Sequence, residues 1–135
     1  MTKPNPANPT LSISRPDLAS ALEQIGAEIE HQPLRSSALA RIMRETFHGS
    51  DAGGTWDWRM AYDLMQATAV QALLRGDNSE DDYYAAKLLA SRLLTETRRS
   101  EQQIRLQQFS TPLPFAALTV RAAAIRKGET VLEPS

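Results

Sequence analysis

The chain has 135 residues, 41% of them apolar and 23% charged, and a formal net charge of −1. Such a length holds one domain of ordinary size whose core needs no staple, and it excludes a large multidomain enzyme. The lack of cysteine rules out disulfides, cysteine-ligated zinc and a thiol nucleophile, and the two histidines, His31 and His48, are too few and too far apart for a histidine metal cluster. The near-neutral charge argues against a generally basic nucleic-acid binder, though not against a local patch.

Residues 1–13 carry Pro4, Pro6 and Pro9 among Asn, Thr and Lys, too little apolar surface to offset the entropy of ordering, so a flexible arm is expected. This N-terminus has no signal-peptide core, and no apolar run approaches the roughly 18 residues of a membrane span. A soluble cytoplasmic protein with no membrane partner is expected. Ser14-Arg15-Pro16-Asp17 then starts a helix with a capping hydroxyl, an early proline and an acid at the positive end of the dipole. Leu18, Leu22, Ile25 and Ile29 form one stripe at the helical period, and the helix runs to about His31, where Pro33 ends it.

A second helix begins after Ser36 or Ser37 and buries Leu39, Ile42, Met43 and Phe47. His48-Gly49-Ser50-Asp51-Ala52-Gly53-Gly54 breaks it, because glycines and small polar residues favour turns. A third helix follows from Thr55 or Trp56, with Trp58, Ala61, Tyr62, Met65, Ala69 and Leu73 on its apolar face and Gly76 at its end. Ser79-Glu80-Asp81-Asp82 opens a fourth, the longest, with Leu88, Leu89, Leu93 and Leu94 packed and an end at or beyond Arg98. After Thr111-Pro112 the spacing gives a fifth helix with Phe115, Leu118, Ala122 and Ile125, closed by Lys127-Gly128. Val131-Leu132 then begins like a buried strand.

A helix, a glycine turn and a short apolar run ending in Glu-Pro-Ser match the approach to a nucleoside-binding loop at the edge of a parallel sheet. The stretch Gln107-Gln108-Phe109-Ser110-Thr111-Pro112, followed by Val131-Leu132-Glu133-Pro134-Ser135, resembles the opening of an S-adenosylmethionine-dependent N6-adenine DNA methyltransferase. The segment from Ser50 to Asp63, with Gly53-Gly54-Thr55-Trp56-Asp57-Trp58, is similar to the N-terminal region of bacterial methylase/helicase proteins of the strawberry-notch type. The resemblance implies that Phe109, Thr111 and Pro112 cap a cofactor pocket and that Glu133 and Pro134 start its glycine loop. It also implies that the intact parent transfers a methyl group to the amino group of a flipped adenine. This sequence has no Gly-x-Gly after Ser135, no Asn/Asp-Pro-Pro-Tyr/Phe motif and no Walker A lysine, so it is expected to be a leading piece that binds no cofactor and methylates nothing alone.

Charge supplies a second candidate. Between Arg92 and Lys127 seven basic residues face only Glu96 and Glu101, and Arg98, Arg99, Arg105, Arg121, Arg126 and Lys127 are the candidate phosphate contacts. Solvated helix faces and dipole partners explain the same charges without a ligand. Trp56 and Trp58 have the chemistry to stack on bases, but one indole packing into the bundle and one covering its end is the simpler account. His48 and Asp51 read as turn residues rather than an acid–base pair.

Together these patterns predict an all-α fold: an irregular bundle of four to five helices with a disordered arm over 1–13, a helical domain over 14–110, and over 111–135 a helix plus the first strand of an interrupted methyltransferase-like domain ending in a short extended tail. DNA, a protein partner and the rest of a larger polypeptide are the expected partners. The alternative in a different class is a stand-alone helical adaptor or regulator from a mobile element.

Overall fold

The computed structural model describes residues 15–75, 82–97, 111–126 and 128–132. Among these, five helices follow one another: α1 (Arg15–His31), α2 (Ser36–Phe47), α3 (Trp58–Leu74), α4 (Asp82–Arg92) and α5 (Leu113–Ala122). The described residues contain no strand, and the fold is an all-α bundle. The expected N-terminal arm and the Ser14 cap lie outside the described residues, as do Gly76 and the Ser79-Glu80-Asp81 helix start.

The core forms where three apolar stripes meet. Ile25 and Ile29 of α1, Leu39, Ile42 and Met43 of α2 and Met65 of α3 are fully enclosed, with Ala21 and Ala61 filling the narrow places between them. Leu18 and Leu22, assigned to the same α1 stripe by spacing, sit at its half-buried edge. Helices α1 and α3 approach closely at Gly26, where a Cβ would lie in van der Waals contact with the Thr68 methyl at 3.4 Å. The Thr68 hydroxyl turns away and donates to the Leu64 carbonyl at 2.8 Å. Thr46, also buried, accepts from the Gln24 amide at 3.3 Å. Outside the core, Arg41 reaches Glu28 across the α1–α2 seam at 3.0 Å and Glu45 along its own helix at 3.2 Å. These exposed pairs each add less than about 1 kcal/mol.

The start of α2, the start of α3 and the end of α4 differ from the sequence pattern. Helix α2 begins at Ser36 itself, with extended Arg35 before it and no side-chain cap. Helix α3 starts at Trp58, not at Thr55 or Trp56: the Asp57 carboxylate accepts the Met60 amide at 2.7 Å and caps the helix there. Trp56 and Thr55 belong to the preceding loop, where the Trp56 indole donates to the Gly49 carbonyl and the Thr55 amide to the Ser50 carbonyl. Helix α4 stops at Arg92, short of Arg98, and at 11 residues is not the longest. Its last residue is held from two sides. The Arg92 guanidinium donates to the Ile29 and Glu30 carbonyls at 3.0 and 2.8 Å, while the Arg92 carbonyl accepts the Leu34 amide at 2.8 Å. With that carbonyl occupied, the chain turns out of the helix and lays Leu93 and Leu94 against the core.

A smaller apolar cluster joins α3, α4 and α5 through Ala69, Ala86 and Leu113, with Leu89 and Leu93 bridging to the main core. Ala86 thus takes the place the pattern gave to Leu88, which is 55% exposed. Helix α5 is turned relative to expectation. Leu113 and Ala117 face the bundle, whereas Phe115, Leu118, Ala122 and Ile125 are exposed. Opposite α5 stand Ala69, Ala86 and Ala90 together with Leu73, Leu89 and Leu93, and of α5 it is Leu113 and Ala117 that pack there. The helix ends at Ala122, before Lys127 and Gly128, and Ala124 then adopts a left-handed conformation at φ 48°. Val131 and Leu132 form no strand and are largely exposed.

Four substitutions at three positions probe the core and the Arg92 junction. Met65→Ala, which empties the centre of the core, should lower unfolding free energy by about 2–5 kcal/mol in urea titration, whereas Leu88→Ala should change it by less than about 0.5 kcal/mol. Arg92→Ala should cost about 2 kcal/mol by removing two charge-assisted bonds, and Arg92→Lys should recover only part of it, since one ammonium cannot reproduce the guanidinium fork.

Candidate cofactor and phosphate contacts

The candidate cofactor-capping residues fall at the entrance of α5. Thr111 and Pro112 are exposed, and Pro112 occupies the N-cap position with φ −56° and ψ 135°. No side chain caps this helix, so Thr111 does not act as its capping hydroxyl; the Pro112 carbonyl instead accepts the Phe115 and Ala116 amides at 3.0 Å each. The aromatic member of the motif, Phe109, lies outside the described residues, as do Glu133 and Pro134. Helix α5 has 10 residues, a length of about 15 Å, which sets Thr111 and the turn after Ala122 at opposite ends of one rod.

That turn is well defined. Gly128 takes φ 90°, a conformation glycine adopts without cost. The Glu129 amide donates to the Arg126 carbonyl at 3.2 Å, and the Glu129 carboxylate accepts the Arg126 amide at 2.8 Å. Of the candidate phosphate contacts, Arg121 and Arg126 are exposed near this end of α5; Arg98, Arg99, Arg105 and Lys127 lie outside the described residues. Arg92, counted in the same basic stretch, is committed to the end of α1 and belongs to the scaffold.

The aromatic pair is built into a loop. Trp56 is 4% exposed, and Trp58 packs edge-on against it with ring centroids 5.6 Å apart and planes at 70°. Trp58 continues to Tyr62 at 5.8 Å. The indole of Trp58 donates to the Asp51 carboxylate at 3.1 Å, just as that of Trp56 holds Gly49. Both rings therefore fasten residues 48–54 onto the start of α3. His48 closes α2 in a left-handed conformation, φ 54° and ψ 37°, with its amide on the Arg44 carbonyl. His48 and Asp51 serve turn geometry, and neither is arranged as an acid–base pair.

A groove of about 810 Å³ runs between α1, α3 and α4, floored by Leu22, Gly26, Ile29 and Leu89 and edged by Glu23, Glu30, Gln71 and Arg75. Among the described residues no group of three or more His, Asp or Glu side chains is placed to hold a metal ion, and no helix is long and apolar enough to cross a membrane. Besides Leu88, the residues that periodicity misplaced are the exposed apolar ones of α5, above all Phe115 and Leu118. Their signal was legible in principle: Leu113 to Ala122 carries apolar side chains around its whole circumference, broken only by Thr119 and Arg121. No protein-family model, curated protein or solved structure matches the chain.

A Cβ on Gly49 would run into the Thr55 side chain. Gly49→Ala should therefore open the loop, lowering stability by about 1–3 kcal/mol and red-shifting tryptophan emission as Trp56 becomes wetted. Gly53→Ala, where the nearest atom is the Ser50 hydroxyl at 3.3 Å, should leave the emission maximum in place.

Proposed function

We propose that the chain is a non-catalytic helical module of an S-adenosylmethionine-dependent DNA adenine methyltransferase/helicase-like protein, and that it docks on the rest of that protein through α5 and residues 130–132. One observation carries the docking surface: α5 is apolar on both sides and covered on one. Leu113 and Ala117 pack on α3 and α4, while Phe115 is 61% and Leu118 43% exposed. A helix apolar all round is normally one buried on every side.

The segment after the turn supports the same reading. Val131 and Leu132 form no strand in this structure, but consecutive residues of an extended chain point to opposite faces, so pairing into a sheet of the parent would make both faces apolar. Strands of that kind belong inside parallel sheets with helices on each side. Size favours docking within one polypeptide. The outer face of a 10-residue helix is about 15 Å long and one helix wide, well short of the roughly 800 Å² per partner of a standard interface between separate chains. A covalent tether supplies the missing affinity as effective concentration.

The methyltransferase half of the proposal rests on the motifs Phe109-x-Thr111-Pro112 and Val131 to Ser135. On this reading Phe109, Thr111, Pro112, Glu133 and Pro134 contribute edges of the cofactor pocket, and Arg98, Arg99, Arg105, Arg121, Arg126 and Lys127 contact the DNA backbone. S-adenosylmethionine supplies the methyl group, and the groups that hold the ribose and the flipped adenine come from elsewhere in the parent.

The reading frame beyond Ser135 tests the proposal first. An Ala-Gly-x-Gly continuation supports it, whereas a stop codon there favours a stand-alone adaptor. Calorimetric titration of this chain with S-adenosylmethionine should show millimolar or no binding; micromolar binding would overturn the non-catalytic reading. The Phe115→Asp, Leu118→Asp double variant should abolish binding of a hydrophobic dye while shifting Tm by no more than about 3 °C, because both side chains already face solvent. For DNA, the Arg121→Ala, Arg126→Ala double variant should lower the salt slope of duplex binding by about two. A slope unchanged by the double variant would remove both residues from the DNA contact.

A further inference from the structure

We draw no further inference here: the strongest candidate, the groove between α1, α3 and α4 edged by Glu23, Glu30, Gln71 and Arg75, has no unpartnered buried polar side chain aimed into it among the described residues, and nothing in the structure shows what covers it.

Discussion

Arg92 ties the two halves of the bundle together. Its guanidinium meets the Ile29 and Glu30 carbonyls, groups that the end of a helix leaves without partners and that carry the negative end of its dipole. Its own carbonyl takes the Leu34 amide from the linker between α1 and α2. One residue thus closes α1, anchors the linker and ends α4. Ending α4 there lets Leu93 leave the helical path and reach both apolar clusters, joining the α1–α3 core to the alanine seam on which α5 rests. Leu89, one turn earlier on α4, makes the same bridge, so two leucines link the clusters.

The loop of residues 48–54 solves a related problem at the other end of the core. Beside its own turn hydrogen bonds, from the Gly53 amide to the Ser50 hydroxyl and the Gly54 amide to the Asp51 carbonyl, two indoles hold it to the core, one just before α3 and one at its first residue. Trp56 is sunk in the core and holds the Gly49 carbonyl; Trp58 lies against it and holds Asp51. Each ring also satisfies its polar N–H while burying its apolar body, which is why tryptophan suits this position better than phenylalanine. The same commitment removes Trp56 from any role as a stacking surface for bases.

How much of this was legible depended on what each helix packs against. The stripe on α2 was read correctly from Leu39 to Phe47, since polar residues flank it and only one orientation buries it. The end of α1 followed from Pro33, and its start from Pro16 and Asp17 in the first turn. The end of α4 was not legible, because Arg92 takes partners more than 60 residues away and local propensity continues through Leu94. The orientation of α5 was ambiguous in principle: a helix apolar around most of its circumference has no preferred face until its neighbour is known, and the neighbour offers alanines. The candidate site was less legible than the fold. The indole pair was read as packing, and its partners could not be named; most of the basic residues and three of the five cofactor-edge residues fall outside the described chain.

The alanine seam also bears on what α5 is for. Helix α5 has one buried side chain, Leu113, whereas α1 encloses Ile25 and Ile29 and α2 encloses Leu39, Ile42 and Met43. The larger apolar side chains of α5 are on its other side, so its favourable burial free energy is largely unspent in the bundle. The bundle therefore holds α5 by one side and leaves Phe115 and Leu118 on the other in contact with solvent.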